Sequence, residues 1–304
     1  MTRATKAHVL LVLVTAVWGA TFVMIKRALD DVSPMLFNAV RMSLAAVLLA
    51  LVYARQLRQT TRSALRAGLT VGIFLWLGYE FQTGGLVHTT PSKSAFLTAV
   101  SVVLVPLFLA VIFHRKRIPR WTLIGVGVAF LGLYLLTIPA REGFSGVNVG
   151  DILTIGCAVA FAFHIILLGR ATAENRFEQI AVLQTATAAA LMLLSVPILE
   201  APRVVWSQQL VVAIVVTGAL GTAAAFSIQA WAQQFTPPTH TALIFSLEPV
   251  FAAITSYLVL GERLGWRGTV GAVLIVAGVL ASELKSGSST PVEESRQALE
   301  PAQN

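Results

Sequence analysis

The chain has 304 residues, of which 56% are hydrophobic and only 12% charged, and its mean hydropathy is +0.78. Soluble domains carry about 25% charged residues, so a soluble globular chain is excluded and an all-α polytopic membrane protein, embedded in a lipid bilayer, is indicated. The net charge of +8 does not point to nucleic acid, because the basic residues are divided among short connections and do not line one groove. The single cysteine, Cys157, rules out an internal disulfide and a cysteine-based metal cluster.

Ten apolar segments follow one another, at about residues 7–25, 34–53, 67–87, 94–113, 121–138, 149–168, 180–199, 210–233, 239–260 and 268–282. The first begins like a signal peptide, with Arg3 and Lys6 ahead of an apolar run. That run continues to Ile25, however, and further spans follow, so an uncleaved membrane helix is expected. The connections are short, and residues 285–304 have a disordered, charged composition. With the N-terminus inside, cytoplasmic segments hold 14 Lys and Arg against 7 on the other side, with Arg41 inside a span. That bias predicts cytoplasmic N- and C-termini in a cell (inner) membrane protein.

An offset of 146 residues, without gaps, superimposes two halves. Gly72 falls on Gly218, Thr90-Pro91 on Thr236-Pro237, Leu97 on Leu243, Gly125 on Gly271 and Gly132 on Gly278. Five spans per half is an odd number, so the halves must enter the membrane from opposite sides. Inverted repeats of this kind build secondary transporters with a midplane site. Glycines 125, 132, 268, 271 and 278 stripe the fifth and tenth spans and read as close helix packing.

Residues 239–260 would make about 33 Å of helix, enough to cross a bilayer. Glu248 falls near the middle, followed at once by Pro249, which cannot donate a backbone hydrogen bond and should free the carbonyl of Phe245. A carboxylate at that depth reads as proton coupling, recognition of a substrate amine or polarisation of a broken helix; the plainer reading is a neutral acid holding the break. Arg41 and Glu80 fall at similar depths in spans two and three, and a mutual ion pair is the economical arrangement, with external gating as the sharper alternative. Trp76, Tyr79, Glu80 and Thr83 recur at helical spacing and are expected on one cavity-lining face. Trp18, Thr21, Thr98, His164, Gln229 and Phe245 complete the candidate cavity lining, although His164 alone reads more readily as a hydrogen-bonded structural histidine. No nucleotide-binding loop is visible, and the five histidines are scattered. Neither an ATP-driven pump, an enzyme, a metal site nor a cofactor is therefore expected.

Val17-Trp18-Gly19-Ala20, Arg41, Leu247-Glu248-Pro249-Val250-Phe251 and Leu260-Gly261-Glu262-Arg263-Leu264 together resemble the drug/metabolite transporter superfamily, EamA type. The resemblance implies ten transmembrane helices in two repeats, over 7–140 and 146–284, ahead of a cytoplasmic tail at 285–304. The first half departs from the pattern, with Val102-Val103 in place of Glu248-Pro249 and Arg115-Lys116-Arg117 in place of the Gly-Glu-Arg motif. The function expected is a secondary transporter working by alternating access, exporting small metabolites such as amino acids or aromatic compounds. Open alternatives are broad drug or cation efflux and a non-transporting membrane adaptor. Proton coupling and a monomeric or dimeric state are both compatible with the sequence.

Overall fold

A computed structural model describes residues 2–89, 91–114, 118–138, 147–261 and 263–285. Thr90, the basic run Arg115–Arg117, Arg141, Glu262 of the Gly-Glu-Arg motif and the tail at 286–304 lie outside the described residues. The helices are α1 (Arg3–Ala28), α2 (Pro34–Val52), α3 (Ala54–Leu57), α4 (Arg62–Leu86), α5 (Pro91–Ala99), α6 (Ser101–Val111), α7 (Arg120–Thr137), α8 (Val149–Glu174) and α9 (Phe177–Leu199). They continue as α10 (Gln208–Gly218), a π-helical turn (Ala219–Ala224), α11 (Ala225–Ala232), α12 (Pro238–Phe245), α13 (Glu248–Leu260) and α14 (Trp266–Lys285). Among the described residues the β structure is a single antiparallel bridge, Val32 to Val204.

Eight helical spans are long and apolar enough to cross a membrane, counting α5–α6, α10–α11 and α12–α13 as one span each. The other two members of the bundle are α4, 25 residues long with Arg62, Arg66 and Glu80 in it, and α14, whose apolar part is Trp266–Ser282. Large apolar side chains are exposed all around the outside; Leu51, Ile198 and Val273 are each more than 60% accessible. In water such a surface would be an aggregation hazard, and in lipid it is solvated.

Glycine contacts show how the halves are related. A Cβ built at Gly125 would lie 2.5 Å from the carbonyl oxygen of Gly278, and one at Gly132 would lie 2.6 Å from that of Gly271. Helices α7 and α14 therefore pack backbone to backbone, and the order of contacts along them is reversed, so they are antiparallel. Under the 146-residue offset Gly125 corresponds to Gly271 and Gly132 to Gly278. Gly125 thus meets the counterpart of Gly132, and Gly132 the counterpart of Gly125, the signature of a twofold relationship. The same exchange recurs elsewhere: Gly72 approaches Thr187, and Gly218 approaches the backbone of Arg41, whose offset counterpart is Thr187. Equivalent helices run in opposite directions, so the two halves are inverted copies.

The halves interlock at one end through polar contacts. Both carboxylate oxygens of Glu200 accept backbone N–H bonds, from Leu36 at 2.7 Å and Met35 at 3.3 Å, capping the positive end of α2. At the start of α8, Asn148 and Asp151 form a capping box. Asp151 also accepts from Lys93 Nζ at 2.6 Å and from Thr89 Oγ1 at 2.8 Å.

Candidate functional site

The interruption between α12 and α13 positions the central acid. The N–H of Ser246 reaches Leu243 O at 3.2 Å, that of Leu247 reaches Ile244 O at 3.0 Å, and α13 then begins at Glu248. These tight i−3 bonds stop the α-helix one turn before Pro249. The first half is interrupted at the corresponding place, Val100, whose N–H bonds Leu97 O at 3.2 Å. It has Val103 where the second half has Pro249. An interruption at this place therefore does not require a proline. Pro249 occupies the first turn of α13, where its fixed φ and missing N–H suit a helix start.

Glu248, partly buried, shares its electrostatic surroundings with Arg41, and the same field reaches Tyr79 and Cys157. These four side chains come from α13, α2, α4 and α8, two from each half. Arg41 is 8% exposed. Its guanidinium carbon lies 4.8 Å from the Tyr79 ring centroid and 5.7 Å from that of Phe37, both within cation–π range. Its Nε is sealed without a hydrogen-bond partner. Thr98, at the end of α5, contacts Cys157 Sγ at 3.7 Å and Gln82 Nε2 at 3.5 Å.

The ion pair expected between Arg41 and Glu80 is not formed. Glu80 accepts from Ser195 Oγ at 2.8 Å, and Trp76 Nε1 reaches the same hydroxyl at 3.5 Å. Thr83 accepts from Asn38 Nδ2 at 2.8 Å. The face that carries Trp76, Tyr79, Glu80 and Thr83 meets two neighbouring helices. Trp76 and Glu80 face α9, while Tyr79 and Thr83 face α2. Consecutive residues on a helix differ by about 100°, so Tyr79 and Glu80 cannot address the same neighbour, and it is Tyr79 that takes Arg41.

A second, aromatic group lies beside the interruption. Trp18 Nε1 donates to Gly221 O at 2.7 Å, and its ring centroid is 4.9 Å from that of Phe245, edge on, and 6.0 Å from that of Phe226. His164, the offset counterpart of Trp18, also approaches Phe226 at 6.0 Å. Its Nε2 pairs with Gln184 Oε1 at 2.9 Å, which suits the structural reading of that histidine. Gln229 is buried and donates to Gln233 at 3.1 Å. Thr21 Oγ1 bonds back to Trp18 O at 3.0 Å.

The structure therefore brings Arg41, Tyr79, Thr98 and Glu248 into one cluster and Trp18, Phe245 and His164 around Phe226. Trp76 packs against the same apolar cluster as Trp18, Tyr79 and Phe226, while Glu80 is held by Ser195. Cys157 and Gln82, which the sequence did not single out for the cavity, join the first cluster through Thr98. The spacing of Gln82 from Tyr79, three residues on one helix, was the available signal for it. Among the described residues no group of His, Cys, Asp and Glu could hold a metal ion.

Two inverted helical halves meeting at an internal polar cluster define a multi-pass membrane protein of transporter architecture. The chain belongs to the EamA-like transporter family, which matches residues 5–138 and 148–283. It is 32% identical over 277 residues to an uncharacterized transporter of Archaeoglobus fulgidus, covering 90% of this chain and 85% of the relative. It is 24% identical over 281 residues to the uncharacterized transporter YoaV of Bacillus subtilis, covering 88% and 92%. The threonine/homoserine exporter RhtA of Escherichia coli is 26% identical over 190 residues, 62% of each chain. A solved crystal structure, 18% identical, superposes with a TM-score of 0.77 over 92% of this chain and 97% of its own; that likeness is one of fold.

Proposed function

We propose that this chain is a secondary transporter that exports small metabolites across the cell (inner) membrane by alternating access, its two five-helix halves rocking about the central cluster. The observation that carries the reading is the concentration of polar groups where the halves meet, with Arg41 stacked on Tyr79, Thr98 of the same half against Cys157 of the other, and Glu248 at the helix interruption of that other half. Charged groups deep in a membrane bundle are costly and are kept where they face a pathway. The similarity to RhtA, a threonine/homoserine exporter, supports amino acids as cargo, and the aromatic wall of Trp18, Phe226 and Phe245 would admit apolar side chains.

All ten helices cross the membrane in this reading. The two that fall short in length or hydropathy, α4 and α14, correspond by the offset to α10–α11 and α7, which do not. The repeats proposed are 7–140 and 146–284, with both termini in the cytoplasm as the positive-inside count predicts.

The test is flux in proteoliposomes against a panel of amino acids, aromatic acids and organic cations, with and without a pH gradient, for the wild type and Glu248→Gln. Saturable flux of a metabolite supports the reading. Flux that responds to the pH gradient only in the wild type assigns proton coupling to Glu248; gradient-independent flux that survives the substitution removes it. No flux of any solute points to the adaptor role and sinks the transport reading.

A further inference from the structure

At the end of the bundle that carries Arg3, α4 and α6 both pack on α8, and the ring of Phe163 on α8 stands between them. Its centroid is 5.2 Å from that of Phe74 on α4 and 4.9 Å, stacked, from that of Phe108 on α6. Phe113, just past α6, approaches the same ring at 6.5 Å. One turn before the end of α8, Arg170 lays its guanidinium 4.0 Å from the Phe113 centroid. All five side chains are partly buried, and their neighbours Ile73, Leu107 and Ile112 are exposed. The rings therefore line a trough on the lipid-facing surface.

Two cations stand at the end of this trough. Arg170 is seven residues, about 10 Å, from Phe163 along α8. On α4, Arg66, Thr70 and Phe74 recur every four residues and share one row, and Arg66 is exposed. The two helices run antiparallel, Gly85 meeting Thr154 and Gly78 meeting Phe161, which brings Arg66 to within about one turn of Arg170 in depth. Among the described residues neither arginine joins an ion pair; Glu174, one turn beyond Arg170, is exposed. Phe113 covers a flat face of the Arg170 guanidinium and leaves its edge, the part that bonds a phosphate through two parallel N–H groups.

The inverted repeat supplies an internal control. Under the 146-residue offset, Arg66, Phe74, Phe108, Phe113, Phe163 and Arg170 become Val212, Leu220, Ile254, Val259, Val17 and Met24, at the opposite end of the bundle. Those positions hold no charge and no ring. Helix packing alone is met there by aliphatic side chains, so the arginines and rings at one end ask for a further reason. Basic pockets between helices on the cytoplasmic side bind anionic headgroups, and an apolar trough behind them accepts an acyl chain.

We infer that the trough between α4 and α6 binds an anionic phospholipid, with its phosphate on Arg170 and Arg66 and an acyl chain along Phe113, Phe108, Phe163 and Phe74. Helices α4 and α6 belong to one half and α8 to the other, so the lipid ties the halves together at their seam. The site does not depend on what the protein carries. The orientation proposed above puts it in the cytoplasmic leaflet.

The experiment uses purified full-length protein in mild detergent, read by native mass spectrometry and by the thermal midpoint. The probes are phosphatidylglycerol, phosphatidylcholine with the same acyl chains, and glycerol 1-phosphate, which has the phosphate without the chains. Phosphatidylglycerol should be retained, and should raise the midpoint, at about tenfold lower concentration than phosphatidylcholine or less; glycerol 1-phosphate should do neither. Arg170→Gln and Arg66→Gln should each weaken phosphatidylglycerol about fivefold and leave phosphatidylcholine unchanged. Arg170→Lys should recover part of the loss, and Phe113→Leu, which removes the stack, should show part of it. Arg55→Gln is the control, an exposed arginine on α3, which packs on α2 and α9, and it should change nothing. Equal action of the two lipids overturns the site. So does an equal loss in Arg55→Gln, which would assign the effect to the general positive charge of that surface. Stabilisation by glycerol 1-phosphate alone would make it a phosphate site and end the lipid reading. Should Arg170→Gln fail to fold, the wild-type lipid series and Arg66→Gln decide.

Discussion

Trp18 Nε1 donates a 2.7 Å hydrogen bond to the carbonyl of Gly221, 203 residues away. Gly221 sits in the π-helical turn Ala219–Ala224, where the backbone ladder is looser and Thr222 bonds back five residues to Thr217 O at 2.9 Å. The first half carries no such turn; its counterpart, residues 73–78, lies within the continuous helix α4. A π turn leaves carbonyls in search of donors, and the indole of α1 supplies one. The contact therefore ties the first helix of one half to the irregular span of the other.

Trp18→Phe would keep an aromatic ring beside Phe245 and remove only the donor. A buried carbonyl left unpaired costs about 1–3 kcal/mol, so the thermal midpoint in detergent should fall. Trp18→Leu, which also loses the ring contact at 4.9 Å, should fall further. A Phe variant as stable as the wild type would show that the bond does not hold the π turn.

The α7–α14 crossing yields a sharper contrast. At Gly278 a Cβ would lie 2.5 Å from Gly125 O and 2.9 Å from the backbone nitrogen of Ala129, whereas at Gly127, on α7 itself, it would meet nothing within 4 Å. Backbone cannot swing aside as a side chain can. Gly278→Ala should therefore cost about 1–3 kcal/mol, typical of overpacking. Gly127→Ala should be neutral or stabilising by up to about 1 kcal/mol, since alanine is the better helix former. Similar midpoint losses at both positions would refute the close crossing.

Much of this architecture was legible in the sequence, and the reasons are physical. Apolar runs long enough to span a bilayer give helices directly, and glycines persist at the same offset in both halves because backbone contact tolerates nothing larger. Trp18 and Arg41 were visible as polar or amphipathic groups out of place in lipid. Their partners were not. Whether Arg41 meets Glu80 or Tyr79 depends on the rotation of α4 about its axis, a 100° difference between neighbours that depth alone does not encode. Cys157 did not stand out as a site residue, because a small apolar residue carries no signal of what surrounds it. The π turn has no mark in Ala219-Leu-Gly-Thr-Ala-Ala224 that spacing could reveal.

The matched interruptions at Val100 and Ser246 bear on Pro249. Because the first half is interrupted without a proline at that place, Pro249→Ala should leave α12 and α13 separate. Losing a preorganised first turn costs no more than about 1 kcal/mol. Transport should largely survive Pro249→Ala, and the pattern of solutes carried should not change. Loss of transport in a correctly folded Pro249→Ala protein would return the proline to the mechanism.

The last prediction concerns the end of the molecule opposite Arg3. Asp151, at the start of α8, holds Lys93 Nζ at 2.6 Å and Thr89 Oγ1 at 2.8 Å, both immediately before or within the interrupted span of the other half. Both partners of the ion pair are well buried, with side-chain exposures of 13% and 4%, so the pair is shielded from water. Alternating access requires the halves to part here, and this contact must then open. Asp151→Asn keeps most of the capping geometry and removes the charge that holds Lys93. Cys157 is the only cysteine, is fully buried and lies beside Thr98 and the central acid, so it serves as a native reporter. A membrane-impermeant maleimide should modify it slowly in the wild type and several-fold faster in Asp151→Asn (about 1 kcal/mol of bias toward the open state gives about a fivefold change). The increase should appear only when the reagent is applied from the side on which Lys93 lies. Unchanged labelling, with the variant otherwise folded, would mean that the Lys93–Asp151 contact anchors the two helices and does not gate the path between them.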